Sequence, residues 1–217
     1  MALNPQSYFV VGTDTNVGKT YISSALLKHF AAAGSKAVGM KPIASGCELD
    51  AQGEFMNADV SALVQASNVV APVGLINPYR FIPAIAPHIA AEQIGVEINL
   101  EVIVNAYQQL YALADVVIVE GAGGFFVPIN SIQTLADLAL ALDIPIILVV
   151  GMRLGCINHA LLTVEAIRAK GLHLAGWIAN QIDPDMVMFE ENLESLKQRI
   201  TAPCLSVVHW QGAVNLN

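Results

Sequence analysis

Charge is scarce in this sequence. Only 13% of its 217 residues are Asp, Glu, Lys or Arg, while 55% are hydrophobic. A chain so apolar is not expected to be disordered, because disorder goes with low hydrophobicity and high net charge. Positive charge is scarcest: 10 Lys and Arg stand against 18 Asp and Glu, a formal net charge of −8. No nucleic-acid partner is expected, since a phosphate backbone calls for a basic face. Cysteine is nearly absent too. Cys47, Cys156 and Cys204 are odd in number and form no C-x-x-C pair, so neither a disulfide framework nor a zinc site is suggested.

Two targeting features are also lacking. Residues 1–7 have no basic n-region and no apolar core, so no export signal is read there. A cytoplasmic location is the expectation. The mean hydropathy of +0.57 raises the question of a membrane span. The most apolar stretch, residues 138–152, is interrupted by Asp143 and Pro145 and stays short of the roughly 18–20 apolar residues a span needs. Strands buried on both faces account for such runs without a membrane. The length suits one domain with a sizeable core, here residues 1–217.

What is present is an alternation of two periods. Strand-like runs fall at residues 8–11, 37–40, 116–119, 146–150, 173–179 and 205–208. Helical spacing falls at 20–33, 57–67, 100–113, 158–169 and 186–200. Gly34 suits the end of the first helix. The segment 69–95 carries Pro72, Pro78, Pro83 and Pro87 and reads as a long structured loop. Strands alternating with helices predict an α/β fold, a mainly parallel β-sheet with helices on both faces. Ligands of such sheets sit at the carboxyl ends of the strands.

The strongest motif lies at the first of those ends. Gly12-Thr13-Asp14-Thr15-Asn16-Val17-Gly18-Lys19-Thr20 follows a strand and opens a helix, the setting of a phosphate-binding loop of the P-loop NTPase type. Backbone N–H groups and the helix N-terminus hold phosphate oxygens. Lys19 reaches the β- and γ-phosphates, and the Thr20 hydroxyl ligates Mg2+. The nucleotide, ATP, is assigned to Asn16, Val17, Gly18, Lys19, Thr20 and Tyr21. The spacing has five residues between the glycines where the common form has four.

Carboxylates are needed beside the metal. Glu120 follows the strand 116–119 and leads into Gly121-Ala122-Gly123-Gly124, a place suited to magnesium and phosphate. Asp59 near a helix start is a weaker candidate, because an acid there commonly just compensates the dipole. Lys41 ends the second strand, where it either faces a phosphoryl or carboxylate group or is a solvated strand-end lysine. Ser45 is open in the same way. The turn at Gly151, Gly155 and Asn158 reads as a capped helix start, able to take an anion or merely capping. Cys156 lacks a base partner and reads as structural.

Taken together, these residues resemble the dethiobiotin synthetase family. The resemblance rests on Gly12-Thr13-Asp14-Thr15, Val17-Gly18-Lys19-Thr20, Lys41-Pro42-Ile43-Ala44-Ser45-Gly46, Asn77-Pro78-Tyr79 and Pro87-His88. It continues through Glu120-Gly121-Ala122-Gly123-Gly124, Leu154-Gly155-Cys156-Ile157-Asn158-His159 and Ala175-Gly176-Trp177-Ile178-Ala179-Asn180. The five-residue loop spacing is itself a trait of that family. The resemblance implies an ATP-dependent ligase acting on 7,8-diaminononanoate and CO2 (or bicarbonate), through a carbamate and a mixed anhydride, to close a cyclic urea. It implies Mg2+ on Thr20, Asp59 and Glu120, with Lys41 and Lys19 as catalytic lysines. Thr15, Ser45, Cys156, Ile157 and Asn158 are implied to touch the substrate. Glu120, Gly121, Ala122, Gly123 and Asn180 join the nucleotide set, with Asn180 reading the base. A homodimer with substrate sites at the interface is implied as well. Beyond Asn180 the sequence departs from the family: His209-Trp210-Gln211 stands where it usually carries Pro-Trp and then an acid, and Phe189 is the only aromatic where it has a tyrosine.

Two other readings compete. A larger amidotransferase-type synthetase would need a glutaminase domain, for which 217 residues leave no room. A nucleotide-switch ATPase of the cell-division or partitioning type would carry an extra lysine where Asp14 stands, and often an amphipathic membrane-binding end, which residues 207–217 do not form.

Overall fold

In the computed structural model, which describes residues 3–4, 6–49, 51, 53 and 55–216, the first strand of the chain is a central strand of the sheet. The elements run β1 (Tyr8–Gly12), α1 (Lys19–Ala32), β2 (Ala37–Met40), β3 (Ile43–Ser45), β4 (Glu48–Leu49) and β5 (Phe55–Met56). Then come α2 (Ala58–Ala66), α3 (Val73–Ile76), β6 (Tyr79–Phe81), α4 (Pro87–Gln93), α5 (Leu100–Tyr111) and β7 (Val116–Gly124). The chain continues through α6 (Leu135–Leu142), β8 (Ile146–Met152), α7 (Cys156–Ala169), β9 (Leu174–Gln181), α8 (Phe189–Arg199) and β10 (Cys204–Val208).

Six strands form one sheet in the order β10-β9-β8-β1-β7-β2. All five pairings in it are parallel. Side chains alternate across it, as the pleat requires. Phe9, Val11, Val117, Val119, Leu148, Val150 and Trp177 face one core layer, which α5, α6, α7 and α8 cover. Tyr8, Val10, Val116, Ile118, Ile147, Val149 and Ile178 face the other, which α1 and α2 cover through Ile22, Leu26, Phe30 and Leu63. Each such buried Ile, Leu or Phe contributes about 1.5–3 kcal/mol. The α/β fold with helices on both faces is therefore as the sequence indicates. Among the described residues no helix is long and apolar enough to cross a membrane.

Several elements differ from the sequence reading. The proline-rich segment 69–95 holds α3, β6 and α4, with β6 paired parallel to β3 in a small second sheet. Helix α6 was not expected, and β7 runs on to Gly124 rather than stopping at Val119. The last helix, read as 186–200, is shorter, at Phe189–Arg199. The cap of α7 is Gly155, at φ 94°, and Asn158 lies inside the helix. A glycine in the left-handed region starts that helix without side-chain help, so the Asn158 cap is corrected. Gly34, at φ 91°, does close α1: its N–H donates to Ala31 O at 3.1 Å, and Ser35 N to Phe30 O at 3.0 Å.

Candidate active site

Strand register brings the first pair of groups together. Met40 of β2 lies beside Val119 of β7, so the next residues, Lys41 and Glu120, emerge as neighbours at the carboxyl edge. Lys41 Nζ donates to Glu120 Oε1 at 2.5 Å and to Asp59 Oδ2 at 3.0 Å. Both Lys41 and Glu120 are buried. Burial works to lower the Lys41 pKa, but the Glu120 and Asp59 carboxylates outweigh it and hold the ammonium above its ordinary value. Burial likewise works to raise the Asp59 carboxyl, and the Lys41 ammonium outweighs it, so Asp59 lies below its ordinary value.

Backbone contacts fix Lys41. Its N–H donates to Ile76 O at 2.8 Å. Its carbonyl accepts from the Asn77 side-chain amide at 2.6 Å, and that amide also donates to Tyr79 O at 3.1 Å. Asn77 is buried, and sequence reasoning gave it no role of its own. Its only signal was the Asn77-Pro78-Tyr79 run. Asp59 is set by α2, whose first-turn N–H groups at Asp59 and Val60 donate to Asn57 Oδ1 at 3.0 and 3.3 Å.

The phosphate loop closes the other side. β1 ends at Gly12, and α1 begins at Lys19 behind Gly18, at φ 87°. A side chain at Gly18 would be strained there and would run into Asn180 Nδ2. Asn16, at φ 58°, takes the left-handed turn that asparagine tolerates. Lys19 Nζ donates to Asp14 O at 2.8 Å. Burial lowers its pKa to about 8, and the Lys41 cation adds to the fall. Thr20 Oγ1 donates to Glu120 Oε1 at 2.8 Å.

A cavity of about 330 Å³ is lined by Thr15, Asn16, Gly18, Lys19, Thr20, Lys41, Asp59, Glu120 and Gly123. Two lysines thus face two carboxylates, and the loop N–H groups supply further positive dipoles. Such a space can bind a polyphosphate and stabilise charge that develops during transfer. Among the described residues no group of three or more His, Cys, Asp and Glu is placed to hold a metal. The donors here are two carboxylates and a hydroxyl, which matches magnesium's habit of binding few protein oxygens alongside substrate phosphates. Glu120 Oε2 is buried and meets no hydrogen-bond partner among the described residues, the orphaned oxygen such an ion would satisfy.

The remaining candidates lie around this cavity. Val17 is buried, and its carbonyl accepts from Asn180 Nδ2 at 2.9 Å, so Asn180 braces the loop. Tyr21 Oη donates to Gly212 O at 2.9 Å and ties α1 to the tail. Gly121 O lies 3.4 Å from Lys41 Nζ, and Ala122 follows it on β7. Ser45 ends β3, with its Oγ buried and unpaired among the described residues. Cys156, Ile157 and Asn158 form the first turn of α7, outside the cavity lining. The Cys156 side chain is buried in the core, its thiol raised by burial, and its N–H donates to Arg153 O at 3.0 Å.

A family model described as AAA domain matches residues 6–216, past Asn180 where the motif resemblance stops. The chain is 54% identical over 205 residues to the ATP-dependent dethiobiotin synthetase BioD of Nitrosospira multiformis, covering 94% of this chain and 88% of that one. It is 54% identical over 210 residues to the protein of that name from Aromatoleum aromaticum, covering 96% and 93%. Among solved structures, the MinC:MinD cell division protein complex of Aquifex aeolicus superposes with a TM-score of 0.57 at 14% identity, covering 94% of this chain and 81% of that one. The cell division protein FtsY of Thermotoga maritima gives 0.57 at 15%, covering 99% and 65%. Identities this low speak to the fold alone.

Proposed function

The chain belongs to the ATP-dependent dethiobiotin synthetase family, and on that premise we propose that it closes the ureido ring of dethiobiotin from 7,8-diaminononanoate, CO2 and ATP, as a homodimer in the cytoplasm. The observation that carries the reading is the buried Lys41 ammonium, held between Glu120 and Asp59 in the cavity the phosphate loop opens onto. A buried cation there suits an enzyme that must gather a carbamate and a γ-phosphoryl group.

On this reading one substrate amine takes up CO2 as a carbamate. The carbamate oxygen attacks the γ-phosphorus, the bond to ADP breaks, and a carbamic-phosphoric anhydride forms. The second amine attacks the anhydride carbon, phosphate leaves, and the ring closes. The protein's part is positioning and charge neutralisation. Lys19 and the loop N–H groups orient the triphosphate, with Asn16, Val17, Gly18 and Tyr21 shaping its bed. Lys41 neutralises the carbamate and the charge that grows on transfer. Thr20, Asp59 and Glu120 would hold magnesium, which when bound neutralises charge on the β- and γ-phosphates. Gly121, Ala122 and Gly123 let β7 approach the phosphates closely, and Asn180 reads the base. Thr15 and Ser45 contact the diamine, and the turn at Cys156, Ile157 and Asn158 takes its distal carboxylate. The three cysteines are free, which suits a reducing compartment. Residues 1–217 act as one domain in this reading, supported by the two core layers that share one sheet.

The test is direct. The protein is mixed with Mg-ATP, bicarbonate and 7,8-diaminononanoate, and dethiobiotin is sought by mass spectrometry. Product is expected only with all three substrates, and Lys41→Ala is expected to lose at least about a hundredfold in rate, the scale of a removed electrostatic stabiliser. Folded, nucleotide-binding protein that makes no product would sink the assignment and favour the switch ATPase.

A further inference from the structure

Asp14 is an awkward residue for a loop that holds phosphates. Its carboxylate is an anion within the loop itself, where it repels a triphosphate. The structure shows it tightly engaged: Oδ1 accepts from Thr15 N at 2.7 Å, and the Asp14 carbonyl accepts from Lys19 Nζ. The second carboxylate oxygen meets Arg153, whose Nη2 donates to Asp14 Oδ2 at 2.6 Å. Arg153 is the first residue past β8, and β8 lies beside β1, so the parallel register delivers the guanidinium to the loop. The two residues are 139 positions apart in sequence.

We infer that Arg153 is a positioning residue for the nucleotide: it cancels the Asp14 charge beside the phosphates and pins that carboxylate against the loop backbone. The inference rests on reading the cavity at Lys19 as the nucleotide site. As a fold-stabilising contact the pair contributes little. Its two side chains are 44% and 43% exposed, and exposed ion pairs stabilise a fold only weakly. Its consequence lies instead in what the ligand meets. With Arg153 in place, the loop presents Lys19 and its N–H dipoles to the triphosphate. Without Arg153, an uncompensated carboxylate sits next to Thr15, which lines the cavity. The turn that Arg153 leaves also leads directly into Gly155 and α7, so the same pair ties the phosphate loop to the start of that helix.

The experiment measures Mg-ATP dissociation constants by calorimetry on the full chain, at low and physiological salt, for Arg153→Ala, Arg153→Lys, Asp14→Asn and the double variant Asp14→Asn/Arg153→Ala. Thermal melts check that each folds. Arg153→Ala is expected to bind roughly five- to tenfold more weakly, an effect that shrinks as salt screens it. Arg153→Lys should recover most of the loss. Asp14→Asn keeps the acceptor for Thr15 N and removes the charge, so the double variant should bind as the unaltered chain does. Unchanged binding by Arg153→Ala overturns the inference, and so does a double variant as weak as the single one. Should Arg153→Ala not fold, Asp14→Asn carries the test: it must bind at least as tightly as the unaltered chain, and weaker binding overturns the inference. Because the readout is nucleotide binding, a failed dethiobiotin assay counts against the ligase reading alone. No Mg-ATP binding by the unaltered chain would overturn both.

Discussion

From sequence, Lys41 is a cation at the end of a strand, and solvated lysines are common there. The fold buries it against Glu120, on a strand 79 residues away, so its environment was legible only through the family resemblance. Removing one member of a buried pair costs about 3–5 kcal/mol, because the other charge is left uncompensated. Lys41→Met is therefore expected to destabilise the fold by about 3 kcal/mol in urea titrations, the lower figure because Asp59 can still reach water. Lys41→Met/Glu120→Gln should regain most of that loss while remaining inactive. Equal stability of the single and double variants would count against a buried pair. Lys19 and Thr20 were legible from the motif itself, because loop and helix are local. Asn77 and Arg153 were not, since each works on a residue far along the chain.

Elements were legible where their period was clean. Helix α6 was not, because Leu135–Leu142 reads as an almost continuous apolar run with no polar face to betray its turn. What starts it is a capping box, in which Thr134 N donates to Asp137 Oδ2 at 2.8 Å, and outside the box itself Thr134 Oγ1 donates to the same oxygen at 2.9 Å. Lys170 Nζ, beyond the end of α7, donates to Asp137 Oδ1 at 3.1 Å. The hydrogen bond from the Thr134 backbone, ahead of a smaller opposing effect of burial, holds the Asp137 carboxyl below its ordinary value, with Lys170 helping. A depressed carboxyl stabilises the fold above its ordinary pKa of 3.8 and loses that contribution as pH falls from there toward its folded value. Asp137→Ala should thus cost about 1 kcal/mol at pH 7, the usual worth of a cap. The gap to the unaltered chain should close below about pH 4. A gap that persists unchanged at pH 3 would mean that packing, and not the charged cap, sets the difference. The segment 69–95 failed to yield α3, β6 and α4 for a related reason. Its prolines mark breaks, but the pieces between them are four, three and seven residues long, too short for a period to register.

At the scale of the molecule, alternating strands and helices announced a parallel sheet, while the order β10-β9-β8-β1-β7-β2 was beyond the sequence. That order depends on crossovers that no local pattern encodes, yet it decides the site. β1 sits between β7 and β8, so one loop is served by Glu120 from one side and Arg153 from the other. Quaternary structure is the level above. Large apolar side chains remain in water on this surface, among them Leu154 at 92% exposure, just before α7, and Leu162 at 63% within it. A single exposed leucine requires no account. These two flank the turn proposed to take the substrate's distal carboxylate, and in the proposed homodimer that neighbourhood lies at the interface. Sedimentation should therefore give about twice the 23.0 kDa chain mass. Leu154→Asp leaves the core untouched, so it should fold normally, shift the mass toward one chain, and keep Mg-ATP affinity within about twofold, since a surface change costs little elsewhere. Its KM for 7,8-diaminononanoate should rise far more than its KM for ATP. A chain that sediments as one copy at concentrations where dethiobiotin forms would rule out the dimer and leave each site complete on its own.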